Sequence, residues 1–144
     1  MAVLVDTNVL LRRTQPLHDH YPFAVESIAR LLEAGERVHI TPQIVAEFWC
    51  VATRPLANNG LAFDLAQVSA EVVKIEQFLE LLPDTPAIYP EWRRLVAAFG
   101  VKGVQVHDSR LVAGMNVHGV KRVLTFNTAH FARSGVETLH PADQ

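Results

Sequence analysis

The chain opens on a short apolar run, Ala2-Val3-Leu4-Val5, that closes on a single acid, Asp6. Such a run reads as a buried strand carrying a carboxylate at its C-terminal end. In open α/β sheets that edge is where ligands and metals bind. An ionised carboxylate fixed at the rim of a core is costly unless a partner neutralises it. The first six residues therefore constrain both the fold and the place to look for chemistry.

The rest of the chain alternates. A helix is predicted over Phe23 to Leu32, stopped by Gly35, followed by a strand at Arg37-Val38-His39-Ile40. Thr41-Pro42 is a strong helix start, with threonine as cap and proline in the first turn. That helix runs to about Thr53, before Pro55, and Asn58-Asn59-Gly60 is a turn. Asp64 to Leu82 reads as one long helix with Leu65, Val68, Val72, Ile75, Leu79 and Leu82 on a stripe. Val73, Phe78 and Leu81 widen the stripe, which suits core, a second copy of the chain or a protein partner. Thr85 to Ile88 reads as a strand, and Pro90 opens a helix to about Ala98. Gly100 and Gly103 mark a flexible turn before a helix that starts at His107-Asp108 and ends near Gly119. Arg122 to Phe126 and Val136 to Leu139 read as strands. Strands alternating with helices give a parallel sheet with helices on both faces.

Length and composition set the class. At 144 residues, 49% hydrophobic and 19% charged, the chain is expected to be one globular domain over 1–144. No apolar stretch approaches the length needed to span a bilayer. No basic region followed by a long apolar segment marks a secretory signal, so a cytoplasmic protein is expected. Cys50 is the only cysteine and sits in an apolar helical pattern, which reads as a buried, inert thiol. A net charge of −2 gives no global basic footprint for nucleic acid. Arginines do come in pairs, Arg12-Arg13 and Arg93-Arg94, with Arg110 later. Solvated helix faces and a local basic rim around an acidic centre both fit them.

Three acids stand out by position. Asp6 ends the first strand, Glu47 falls at the boundary of core and solvent on its helix, and Asp108 lies at the first turn of another helix. Each also has an ordinary reading: Asp6 and Asp108 as helix caps, Glu47 as a surface glutamate. Converging at one sheet edge, they would repel one another and call for a hard divalent cation, of which Mg²⁺ suits best. Soft-metal sites are disfavoured by a single cysteine and no histidine pair at a ligand spacing.

Four blocks in order carry a family resemblance. They are Val5-Asp6-Thr7-Asn8-Val9-Leu10, Thr41 to Phe48, His107-Asp108-Ser109-Arg110-Leu111-Val112-Ala113, and Leu124-Thr125-Phe126-Asn127 to Phe131. Together they resemble the PIN-domain ribonucleases, and the VapC-like toxins most of all, over essentially the whole chain. The resemblance implies a three-layer α/β/α domain with a short, mainly parallel sheet. It implies a Mg²⁺- or Mn²⁺-dependent endoribonuclease whose metal and catalytic acids map onto Asp6, Glu47 and Asp108. Thr7 matches the small hydroxyl residue beside the first acid and is read as holding water or orienting an acid. Asn127 stands near the place where many relatives carry a fourth acid. It brings no charge, so a second tightly held ion is in doubt. His107 is read as packing or capping. Arg12, Arg13 and Arg110 are candidates for the RNA backbone. The implied reaction is in-line attack of water on phosphorus, leaving a 5′-phosphate and a 3′-hydroxyl. The toxin role implies a small antitoxin as partner, and the wide apolar stripe over Asp64 to Leu82 suits that antitoxin or a homodimer.

Two other readings compete. A phosphomonoesterase with an aspartyl nucleophile also places an acid after the first strand, but its usual second acid two residues on is Asn8 here. A PIN-like module that binds RNA or protein without cutting fits the acid-poor C-terminal block.

Overall fold

The computed structural model describes residues 1–144. In chain order the elements are β1 (Ala2–Val5), α1 (Thr7–Arg12), α2 (Tyr21–Glu33), β2 (Arg37–Ile40), α3 (Pro42–Thr53), α4 (Leu65–Phe78), β3 (Glu80–Leu81), α5 (Ile88–Phe99), α6 (Gln105–His118), β4 (Arg122–Leu124) and β5 (Glu137–Leu139). Short 3-10 turns lie at Leu56–Asn58, Thr128–Phe131 and Pro141–Asp143.

The five strands form one sheet in the order β3-β2-β1-β4-β5. Every pairing is parallel, and helices cover both faces in three layers. The chain fills one half first, β1 to β3, then crosses over to lay down β4 and β5. The order therefore reverses between β1 and β4, the kind of crevice where α/β sheets bind ligands. Register Val5↔Leu124 sets Asp6 opposite Thr125 there, and the Asp6 N–H donates to the Leu124 carbonyl at 2.9 Å.

One cluster of 28 buried apolar residues holds the layers together. Val3, Leu4 and Val5 are fully buried in β1, as the opening run requires. On α3, Ile44, Phe48 and Ala52 face inward at helical spacing. Burying a side chain the size of Phe48 contributes about 1.5–3 kcal/mol. The Thr41 hydroxyl caps α3 by accepting from the Ile44 N–H at 3.2 Å, with Pro42 in the first turn. The turn before α6 needs two glycines with positive φ, Gly100 at 60° and Gly103 at 64°, a region that penalises any Cβ. This turn sets where Asp108 arrives.

The expected long helix from Asp64 to Leu82 is not one helix. Asp64 and Gln67 form a capping box at its start, but α4 ends at Phe78 and Leu79 is extended. The open edge of β2 decides this: His39 and Ile40 pair with Glu80 and Leu81, and the Ile40 carbonyl accepts the Leu82 N–H at 2.8 Å. Leu79 and Leu82 are buried as sequence periodicity suggests, but through extended chain rather than a helical stripe. With β3 occupying the edge, Thr85 to Ile88 forms no strand and instead turns into α5, the Thr85 carbonyl accepting the Ile88 N–H. β4 stops at Leu124, two residues short of its expected end, where the chain turns into the site. Helix α1 enters the sequence reading only as the helix that Asp6 would cap, because six residues are too few to show a period. Cys50 is exposed on the outer side of α3, not buried. The inward face is taken by Ile44, Phe48 and Ala52. On the single chain Leu65, Val73 and Leu81 remain 70%, 50% and 47% exposed.

Candidate functional site

Asp6 is built into the crevice by its backbone neighbours. It is the N-cap of α1, its Oδ1 accepting the Thr7 N–H at 2.8 Å. Its Oδ2 accepts the Thr125 hydroxyl at 2.8 Å and the Asn8 amide at 3.3 Å. Asn8 also donates to the Thr125 hydroxyl at 3.1 Å and accepts the Phe126 N–H, so one amide ties β1 to the chain after β4. Asp6 is 8% exposed. Burial pushes its carboxyl up to about 6; the Thr125 and Thr7 hydrogen bonds oppose this, while Asp108 and Glu47 add repulsion.

Glu47 reaches Asp6 through Thr7. The Thr7 hydroxyl donates to Glu47 Oε2 at 3.1 Å, and the Gln43 amide donates to Oε1 at 2.8 Å. The same amide donates to the His107 carbonyl at 2.8 Å, and Gln43 Oε1 accepts from Arg110 at 3.0 Å. Gln43 thus links α3 to α6 beside two of the acids. Asp108 lies inside the first turn of α6 and is not its N-cap, which is Val104. The helix dipole favours a negative charge there. The Asp108 carboxyl is raised, by burial first and also by Glu47, against the lowering effect of His130 and His107. His130 Nδ1 lies 3.7 Å from Asp108 Oδ2.

Asp6, Glu47 and Asp108, from β1, α3 and α6, therefore share one electrostatic field at the carboxyl edge of the sheet. Glu47 opens onto a groove of about 710 Å³ with His107 and Arg110, and Asp108 onto a cavity of about 310 Å³ with His130. As the side chains stand, no three His, Cys, Asp or Glu groups close around a single point at ligand distance. The donors are all hard oxygens. They fit an ion that takes one or two carboxylates directly and completes its shell with water, as Mg²⁺ commonly does.

The other sequence candidates fall in different places. Thr7 joins two of the acids, as above. Asn127 is exposed and enters the network only through its backbone N–H, which donates to the Thr125 hydroxyl at 3.0 Å. Arg110 stands beside the groove, bonded to Gln43 and 3.3 Å from Asp84. Arg12 bonds Gln15 at 2.8 Å. Arg13 packs away from the acids, 3.7 Å from Glu71 and over the Phe78 ring at 4.6 Å. Thr125, Asn8 and Gln43 escaped the sequence reading. Thr125 had a signal: it follows the apolar Val123-Leu124 as Asp6 follows Val3-Leu4-Val5.

Comparison with known proteins decides the family. The PIN domain model matches residues 3–136. The chain belongs to the PIN domain family. No curated protein matches the sequence significantly. Among solved structures, VapBC-1 from nontypeable Haemophilus influenzae is 13% identical with a TM-score of 0.73, covering 99% of both chains. VapBC2 from Rickettsia felis, bound to a DNA fragment from its promoter, is 16% identical with a TM-score of 0.69, covering 97% of this chain and 98% of that one. VapC20 from Mycobacterium tuberculosis, a Sarcin-Ricin loop cleaving toxin, is 17% identical with a TM-score of 0.59, covering 84% and 86%. At these identities the likeness is one of PIN fold. No helix is long and apolar enough to cross a membrane.

Proposed function

We propose that this PIN domain is a divalent-metal-dependent endoribonuclease and the toxin of a toxin–antitoxin pair. The observation that carries the reading is that Asp6, Glu47 and Asp108, from three elements, feel one another's charge at the switch point of a parallel sheet. These residues would hold Mg²⁺ or Mn²⁺, which supplies charge neutralisation at the phosphate and a water of lowered pKa. The buried Asp6 is oriented through both oxygens by Thr7, Asn8 and Thr125, so it is pre-set rather than mobile. Thr7 holds Glu47 in register with Asp6, and Gln43 holds it in register with α6. Arg110, which lines the groove with Glu47, and Arg12 are the candidates to meet the RNA backbone. Arg13 is committed to Glu71 and Phe78 and is left out of that role.

The biological role rests on relatives. One similar PIN structure is described as a toxin that cleaves the Sarcin-Ricin loop. The resemblance to VapC-like toxins implies a small antitoxin, and the uncovered Leu65, Val73 and Leu81 offer apolar area to it or to a second copy of this chain. The test is direct. Purified protein is incubated with total RNA in Mg²⁺ or Mn²⁺, with and without EDTA. Cleavage that stops in EDTA is expected; cleavage unchanged by EDTA refutes the metal mechanism, and none in either condition favours the binding module.

A further inference from the structure

Asp108 has two sides. One belongs to the acid cluster; the other lines the cavity of about 310 Å³ between α5, α6 and the turn Thr128–Phe131. The cavity wall is apolar at Val112, which is buried, and at Phe99, which is 46% exposed at the end of α5. Gln105, Ser109 and Arg133 bring polar groups to its rim, and Gln105 and Arg133 are exposed.

We propose that this cavity is a nucleobase pocket that selects a purine, guanine ahead of adenine, next to the phosphodiester held at the acids. The inference rests on the nuclease reading. Four features converge on it. A single-stranded RNA presents unstacked bases, which proteins hold on aromatic rings and guanidinium planes while reading their edges. Phe99 supplies such a face, and Gln105, Ser109 and Arg133 supply edge partners. The volume lies at the low end for ligand sites, enough for one base and its sugar but not for a larger cofactor. The guanidinium fork of Arg133 matches the O6 and N7 acceptors of guanine, and adenine offers only N7. Asp108 belongs to both sites, so a nucleotide whose phosphate sits at the acids brings its own base to the cavity mouth.

The test separates selection from cleavage. A single-stranded RNA library randomised at every position is cut in Mg²⁺ by the parent, by Ala129→Trp, which fills the cavity, and by Arg133→Ala. The parent is expected to cut beside a purine, with guanine strongest, and Ala129→Trp to lose that choice. Arg133→Ala should reduce the guanine-over-pyrimidine ratio about tenfold, within the range of one bidentate arginine–guanine contact. Arg133 is exposed, so that variant carries the test if Ala129→Trp does not fold. In parallel, 5′-GMP and 5′-UMP are titrated onto the parent and Arg133→Ala, following backbone amide resonances of residues 105–112 and 129–134. GMP should move them in the parent, UMP far less, and the variant should weaken the GMP response. A parent that cuts RNA with no flanking-base preference, and whose amides ignore GMP, overturns the pocket and leaves the nuclease reading standing. A parent that cuts no RNA yet binds GMP there overturns the nuclease reading and supports the base pocket.

Discussion

Asp6 makes the metal-free protein less stable as pH rises, and the effect can be isolated with one variant. Its carboxyl sits at about 6 in the folded chain against an ordinary 3.8, raised first by burial and then by its acidic neighbours. The folded state therefore binds this proton more tightly than the unfolded chain does. That stabilisation is complete below the unfolded value and is lost as pH rises through the folded one. The whole shift corresponds to about 3 kcal/mol, and about 2 kcal/mol of it falls between pH 4.5 and 7.5. Asp6→Asn cannot titrate. It keeps an oxygen for the Thr7 N–H but replaces an acceptor facing Asn8 and Thr125 with a donor, so it loses a roughly constant amount at every pH. Urea unfolding of parent and variant in EDTA at both pH values gives four free energies. Between the two pH values the parent should lose about 2 kcal/mol more stability than the variant. Carboxylates with lowered values, such as Glu36 and Glu91, act oppositely and cancel in the comparison. Parallel pH profiles would refute the argument that burial raises the Asp6 carboxyl. Adding Mg²⁺ should flatten the parent's loss, because an ion bound to the folded state favours the ionised acid.

Asp108→Asn should abolish RNA cleavage while keeping or slightly raising the metal-free Tm, since it removes one of three repelling charges; Mg²⁺ should raise the parent's Tm more. A large drop in Tm would assign Asp108 to structure. Thr125→Val removes a buried hydroxyl that serves Asp6, Asn8 and the Asn127 N–H, and should cost about 1.5–3 kcal/mol in urea unfolding, the range for a hydrogen bond to a charged group. Arg13→Ala should lower stability by about 1 kcal/mol through lost packing on Phe78 and lost pairing with Glu71, with the rate of RNA cleavage nearly unchanged. A sharp fall in RNA binding by that variant would restore Arg13 to the RNA surface.

The layers, and the places of the three acids on their elements, were legible because each sits on a strong local signal. The run ending in Asp6 is apolar throughout, and Thr41-Pro42 fixes where α3 starts and so which way Glu47 turns. Gly100 and Gly103 announce the turn before Asp108. What was illegible depends on partners distant in sequence. Residues 79–82 satisfy a helical stripe and an edge strand equally well; only the open edge of β2, forty residues earlier, decides between them. Thr125 and Gln43 are common polar residues, and their roles exist only once β4 lies against β1 and α6 against α3. Arg13 shows the converse. Its pairing with Arg12 fitted a basic rim, but at the end of α1 the two side chains take different partners, Gln15 for Arg12 and Glu71 with Phe78 for Arg13.

The amide of Gln43 is a strut of fixed length between two helices. One of its donors meets the Glu47 carboxylate, the other meets the backbone of α6, and its oxygen takes Arg110. The gap between α3 and α6 is thus set by a neutral side chain that binds no ion itself. Mg²⁺ demands shorter and stricter contacts than larger cations. Shortening the strut by one methylene, or lengthening it, changes that gap without altering a single carboxylate. The aperture of the site and the identity of its acids can therefore drift separately, and under the proposed metal reading cation preference would be retuned from a residue that an inventory of acids passes over.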